Sequence, residues 1–164
     1  DIGFSDEIYP RAMEMEYPTT LPHMPAARLL CYSAESVVAE KWQAMVQLKE
    51  MNSRMKDIYD LWFLSRTRSF AYTVLKEAVA RTFARRGTDP ATYLHLTTPE
   101  YMAAQQPEWA AYVRKLKAAS YRKKAAVSIP SRDMAEVMAE IIGWLEPVMQ
   151  DEPLRTWKPG KGWK

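Results

Sequence analysis

The pattern of apolar and polar positions divides the chain into a short extended part and a long helical part. Asp1–Ile8 and Met13–Tyr17 read as short strands, and Arg28–Tyr32 is an apolar run that reads as a third. Pro18, Pro22 and Pro25 fall between them and exclude helix there. From Ser33 the period becomes helical. It predicts a first helix over Ala34–Leu48, with Ser33 as its N-cap. Glu50–Ser53 reads as a turn whose Asn52 or Ser53 can cap a second helix over Arg54–Arg66. A third helix is expected over Phe70–Arg86, with Phe70, Val74, Ala78, Thr82 and Phe83 on one stripe and Gly87 just beyond its C-terminus.

Residues 88–106 read as irregular, with room for a short helix after Pro99. Pro107 suits the first position of a fourth helix whose apolar side holds Trp109, Tyr112, Val113 and Leu116. Ser131 is the expected cap of a fifth, striped by Met134, Val137, Met138, Ile141, Leu145 and Val148, which Pro147 bends or ends. The expected fold is therefore mainly α, with a short N-terminal β segment. It forms one domain over residues 1–150 (1–32 extended, 33–150 helical), followed by a flexible tail over 151–164.

Composition sharpens this picture in three places. Apolar residues make up 48% of the chain, enough for a buried core, which excludes disorder throughout. One cysteine excludes a disulfide framework or a cysteine-based zinc site and fits a reducing, cytoplasmic setting. No apolar run is long enough to span a membrane. The chain also opens without an initiator Met, in what reads as the middle of a strand, so a C-terminal portion of something longer is expected.

The net charge of +3 is unevenly spread. Residues 109–132 carry seven bases and no acid: Arg114, Lys115, Lys117, Arg122, Lys123, Lys124 and Arg132. Such a stretch attracts polyanions or simply forms a solvated face.

Lys41 is the least expected residue. On a helical wheel Ala34, Val37, Val38, Ala44, Met45 and Leu48 all fall within about 60° of it. An ammonium on an apolar face is costly unless it is paired or reaches a wet cleft. In the next helix Arg54, Asp57 and Asp60 recur every three residues and share one side, so Lys41 and Arg54 can each answer an acid. A structural ion-pair network and a phosphate-handling cleft both explain the set. Phosphoryl transfer relies on positioned charge of this kind, but no Walker-type Gly-rich loop, Asp-x-Asp pair or Gly-x-Ser-x-Gly elbow is present. Cys31 reads as a small buried residue, and His23 and His95 lie in loops without a recognisable partner.

Those residues carry a resemblance. Tyr32–Lys41 resembles the Y-x-x-E-x-x-x-A-E-K element of the AbiEii/AbiGii toxin nucleotidyltransferases, and Arg54–Leu61 their R-x-K-D-x-Y-D-L element. Asp1-Ile2-Gly3-Phe4-Ser5-Asp6 is similar to the strand that precedes them, and Pro107-Glu108-Trp109 to the start of a later helix.

The resemblance implies the C-terminal half of a polymerase β-like nucleotidyltransferase α+β fold. It implies the toxin of a toxin–antitoxin or abortive-infection system, which transfers nucleotides from an NTP, with Mg2+, to an acceptor such as RNA. Carried over residue by residue, it makes Lys41 and Arg54 the nucleotide-binding residues, Asp57 and Asp60 catalytic together with Lys41, and Asp1 a metal ligand. The family's Gly-Ser…Asp-x-Asp element has no counterpart in the sequence, so this chain is expected to be inactive alone. Its expected partners are that N-terminal half or an antitoxin. The alternative reading is a non-catalytic RNA- or protein-binding helical module.

Overall fold

A computed structural model describes residues 8–19, 21, 23–123, 127–150, 152 and 155–164. Within them the chain is mainly α, with a short β segment near its N-terminus, as the periodicity predicts. Strands β1 (Met13–Tyr17) and β2 (Ala27–Cys31) pair antiparallel, Met13 opposite Cys31 and Tyr17 opposite Ala27. Apart from half-buried Cys31 every residue of these two strands is exposed. The expected strand over Asp1–Ile8 lies almost wholly outside the described residues.

Helix α1 (Ala34–Leu48) begins where the sequence places it. The Ser33 hydroxyl accepts from the Ser36 N–H at 3.1 Å, satisfying one of the donors that a helix start leaves unpaired. The Ser33 and Ser36 hydroxyls also donate to the Tyr9 carbonyl at 3.0 and 2.9 Å, tying the N-terminal segment to the helix. A short 3-10 turn over Lys49–Met51 leads into α2 (Met55–Thr67). No side chain caps α2. Asn52 Oδ1 instead accepts from the Arg54 N–H at 2.9 Å.

Phe70–Ala71, read as the start of the third helix, form a short strand β3 instead, and α3 spans Tyr72–Arg86. It ends on Gly87 at φ 60°, a left-handed conformation that glycine adopts without strain. A 3-10 segment over Pro90–Thr97 follows.

The fourth helix departs most from expectation. Helix α4 runs over Pro99–Lys123, and Pro107 lies inside it rather than at its start. An interior proline removes one hydrogen bond and costs about 3 kcal/mol. Tyr101, Gln105, Trp109 and Val113, at successive four-residue steps, are all buried, so one buried and mostly apolar stripe crosses the proline and outweighs it. Helix α5 (Met134–Met149) is capped by Asp133, not Ser131, and buries the expected stripe plus Trp144.

The tail is not free either. Strands β4 (Thr156–Lys158) and β5 (Gly162–Trp163) form a hairpin that pairs with β3. The Lys161 N–H donates to the Lys158 carbonyl at 3.0 Å, closing a turn with Pro159 and Gly160 at its centre and Gly160 at φ 68°. Trp157 and Trp163 fasten the hairpin by donating their indole N–H to the Ser65 and Trp144 carbonyls at 2.7 and 2.9 Å. Three other tryptophans, Trp42, Trp109 and Trp144, are fully buried at the centre of the core.

Candidate functional site

The site is built on two helices. α1 presents Lys41, and α2 presents Asp57 and Asp60. Lys41 Nζ lies 2.5 Å from Asp57 Oδ1 and 2.8 Å from Asp60 Oδ2. Arg54 Nε approaches Asp57 Oδ2 at 3.2 Å, and Lys56 Nζ donates to Asp60 Oδ2 at 2.6 Å. Three cations thus face two carboxylates, leaving one positive charge in excess. Lys41 and Asp57 are the desolvated pair, with side chains 20% and 9% exposed, whereas Lys56 and Arg54 reach in from solvent at 73% and 56%.

Burial alone would lower the Lys41 pKa. The hydrogen bonds and charges of Asp57 and Asp60 outweigh it, so the ammonium is held above its ordinary range. An ammonium has three protons to donate. The aspartates take two and leave one.

Lys41 is less central to the apolar face of α1 than its place on the helical wheel implies. Val38, Ala39, Trp42, Met45 and Val46 are the fully buried apolar residues of α1. Their arc begins about 40° from Lys41 and runs away from it. Lys41 therefore sits at the margin of the apolar face, not at its centre, which is how it reaches the acids of α2. Asp57 and Asp60 stand beside Leu61 on α2, while Met55, Ile58 and Trp62 pack inward.

Aromatic side chains wall the cluster. The Tyr59 ring lies 5.9 Å from Trp62, 6.1 Å from Phe63 and 6.1 Å from Tyr112 of α4, and Tyr112 stacks on Trp109 at 5.7 Å. Burial, then the charge of Asp60 and the neighbouring Tyr59, push the Tyr112 hydroxyl up to about 12. Burial and Asp60 raise Tyr59 as well. Tyr112 escaped sequence reasoning as a site residue, because its proximity to Asp60 comes from the packing of α4 on α2. His95 also has a partner that sequence did not reveal: its Nε2 lies 2.5 Å from Glu50 Oε1, beside the α1–α2 turn.

Asp1 lies outside the described residues. Of the basic stretch, the side chains of Arg114, Lys115, Lys117 and Arg132 are exposed, whereas those of Arg122, Lys123 and Lys124 fall outside the description. Among the described residues the acids do not form a magnesium site by themselves. Asp57 and Asp60 are already engaged by cations, and among the described residues no group of three His, Cys, Asp or Glu converges as metal ligands would. Among them no helix is long and apolar enough to cross a membrane.

Against this geometry stands one comparison that decides the family. The model of the nucleotidyl transferase AbiEii toxin family, type IV toxin–antitoxin system, matches residues 1–128. The chain belongs to the AbiEii family. The match spans both strands of the N-terminal hairpin, α1, α2 and α3 and all of α4, so it contains every residue of the Lys41 cluster and its aromatic wall. Membership in a type IV toxin–antitoxin family implies an antitoxin as partner of this AbiEii chain. No curated protein and no solved structure matches it.

Proposed function

We propose that this AbiEii chain supplies the phosphate-handling helices of a nucleotidyltransferase that moves a nucleotide from an NTP to an acceptor such as RNA. The observation that carries the reading is Lys41. Its ammonium is fixed by two aspartates across a helical hairpin and keeps one proton for a phosphate oxygen. Such a group does not reorganise when charge develops on the transferred phosphoryl, which is what electrostatic catalysis requires. In this reading Asp57 and Asp60 position Lys41, and Arg54 adds a second, more exposed cation held by Asp57. The magnesium that the family implies would be held by carboxylates that include Asp1. Its setting is the cytoplasm, where NTPs and RNA are found.

The test is transfer of label from α-labelled NTPs to RNA by the enzyme that carries its Asp-x-Asp element. Lys41→Met should lower transfer by 100-fold or more, on the order of removing one preorganised charge contact. Lys56→Met should leave it within a few-fold. Wild-type transfer by Lys41→Met would end this reading.

A second reading is favoured by α4. Arg114, Lys117 and Tyr121 share one side of that helix, and Tyr121 is 89% exposed. A cationic helix face with an exposed aromatic ring suits single-stranded RNA, held through phosphate contacts and base stacking. Reversing charge at Arg114 and Lys117 should weaken RNA binding and flatten its salt dependence. RNA binding unaffected by those changes rejects this use of the face.

A further inference from the structure

The turn that joins α1 to α2 is gripped from outside the helix pair. Its own backbone is strained: Lys49, which ends α1, adopts φ 50°. A residue with a side chain takes that conformation at a cost of about 1–3 kcal/mol, and keeps it only where its surroundings fix the backbone. Those surroundings come from the Pro90–Thr97 segment and the start of α4. His95 Nε2 lies 2.5 Å from Glu50 Oε1. Gln105, which is buried, donates its side-chain N–H to the Glu50 carbonyl at 2.9 Å. Tyr101 is fully buried and sets its ring edge-on to His95 at 5.8 Å.

Thr98 makes these three residues one block. Its hydroxyl donates to the His95 carbonyl at 2.9 Å and accepts from the Tyr101 N–H at 3.2 Å. Gln105 follows Tyr101 four residues on, along the same side of α4. Beyond Glu50, buried Asn52 holds the Arg54 N–H at 2.9 Å where α2 begins. The turn therefore passes from the grip on Glu50 directly into the helix that carries Asp57 and Asp60.

A turn held this way acts as the hinge of a lever. Lys41 stands eight residues before Lys49, about 12 Å along the helix. A change of about 5° between the helices at the turn displaces Lys41 by about 1 Å relative to α2. That displacement carries the 2.8 Å contact with Asp60 out of hydrogen-bond reach. Misplacing a group in a reacting centre by about 1 Å costs on the order of 100-fold in rate.

We propose that His95 and Gln105 are positioning residues for the Lys41 site, fixing the α1–α2 turn and through it the separation of Lys41 from Asp57 and Asp60. Both act through the turn rather than on the phosphate. The catalytic consequence rests on the reading of Lys41 as the phosphate-handling group; the positioning of the ammonium does not.

The experiment follows the Lys41 15Nζ signal of the chain through a pH titration by NMR, in the wild type and in His95→Leu, Gln105→Met and His95→Gln. Wild-type Lys41 should titrate above the ordinary lysine value. His95→Leu and Gln105→Met should each bring it down toward that value. His95→Gln should preserve it, because the amide can still donate to Glu50. The His95 side chain is 30% exposed, so His95→Leu stands in if Gln105→Met fails to fold. In the nucleotide-transfer assay, by the enzyme that carries its Asp-x-Asp element, His95→Leu should lower kcat about tenfold, less than Lys41→Met does.

A Lys41 titration unchanged by both His95→Leu and Gln105→Met overturns the positioning role and leaves the reading of Lys41 standing. A titration lowered as far by His95→Gln as by His95→Leu overturns it too, since the contact with Glu50 is then irrelevant. A lowered titration with wild-type transfer supports the positioning and removes the phosphate role of Lys41. A wild-type Lys41 that titrates at the ordinary value overturns both.

Discussion

Two regions of this molecule gather cations in opposite environments. The exposed face of α4 carries Arg114, Lys115 and Lys117 in solvent, with no acid anywhere in residues 109–132. The α1–α2 hairpin carries Lys41, Arg54 and Lys56 against Asp57 and Asp60, with the Lys41–Asp57 pair largely removed from water. Solvated charges interact weakly, are screened by salt and tolerate substitution. Desolvated charges are held in place by their partners, and removing one partner strands the other. A count of basic residues would rank α4 first. Desolvation ranks the hairpin first, because only there is a cation fixed in space.

The comparison breaks most readily at Lys41. Lys41→Met leaves two aspartates facing each other at the margin of the core, and should destabilise the chain by about 3 kcal/mol in urea unfolding. A loss below about 0.5 kcal/mol, the usual size for surface substitutions, would place Lys41 with the α4 lysines.

The two aspartates should then separate. Asp57→Asn removes the more buried of the two carboxylates on Lys41 and leaves Arg54 without its acid, whereas Asp60 shares its load with the exposed Lys56. We expect roughly 2 kcal/mol for the first and roughly 1 kcal/mol for the second, after discounting the exposed partners for screening. Equal losses would contradict the burial difference.

Alkaline pH provides a third, smaller contrast. Lys41 is held above its ordinary pKa, and Tyr112 is pushed from 10.0 to about 12. Both groups keep their protons more tightly folded than unfolded. Their stabilising effect is therefore complete below the unfolded values and is lost as pH rises through the folded ones. Stability should fall from about pH 10 upward, and Tyr112→Phe should shallow that fall. A flat profile over this range would remove both groups from the account. The smallest effect belongs to α4: Lys115→Glu with Lys117→Glu should change unfolding free energy by no more than about 0.5 kcal/mol per residue.

The parts of the fold legible from sequence were those set by local chemistry. Ser33 before an apolar-periodic run fixed the start of α1, Gly87 fixed the end of α3, and alternation fixed β1. Pro107 misled because a proline is informative only if the apolar stripe changes at it. The stripe from Tyr101 to Val113 does not. The Lys158–Lys161 segment misled in the other direction. Its Pro-Gly pair is a turn signature, but whether the turn is free depends on Trp157 and Trp163, whose acceptors lie far away at Ser65 and Trp144.

In the site, the pairing of Lys41 with Asp57 and Asp60 was legible because each lies on a regular helix joined by a short turn. Tyr112 and the Glu50–His95 contact were not, because both depend on how α4 and the Pro90–Thr97 segment fold back onto that hairpin.

The most direct measurement is NMR of the lysine side-chain 15Nζ groups, before and after addition of ATP. Lys41 should give one ammonium signal protected from exchange, titrating above the ordinary lysine value, and it should shift when ATP is added. A Lys41 signal that exchanges freely, titrates at the ordinary lysine value and ignores ATP would contradict the claim that its charge is held in place for phosphate.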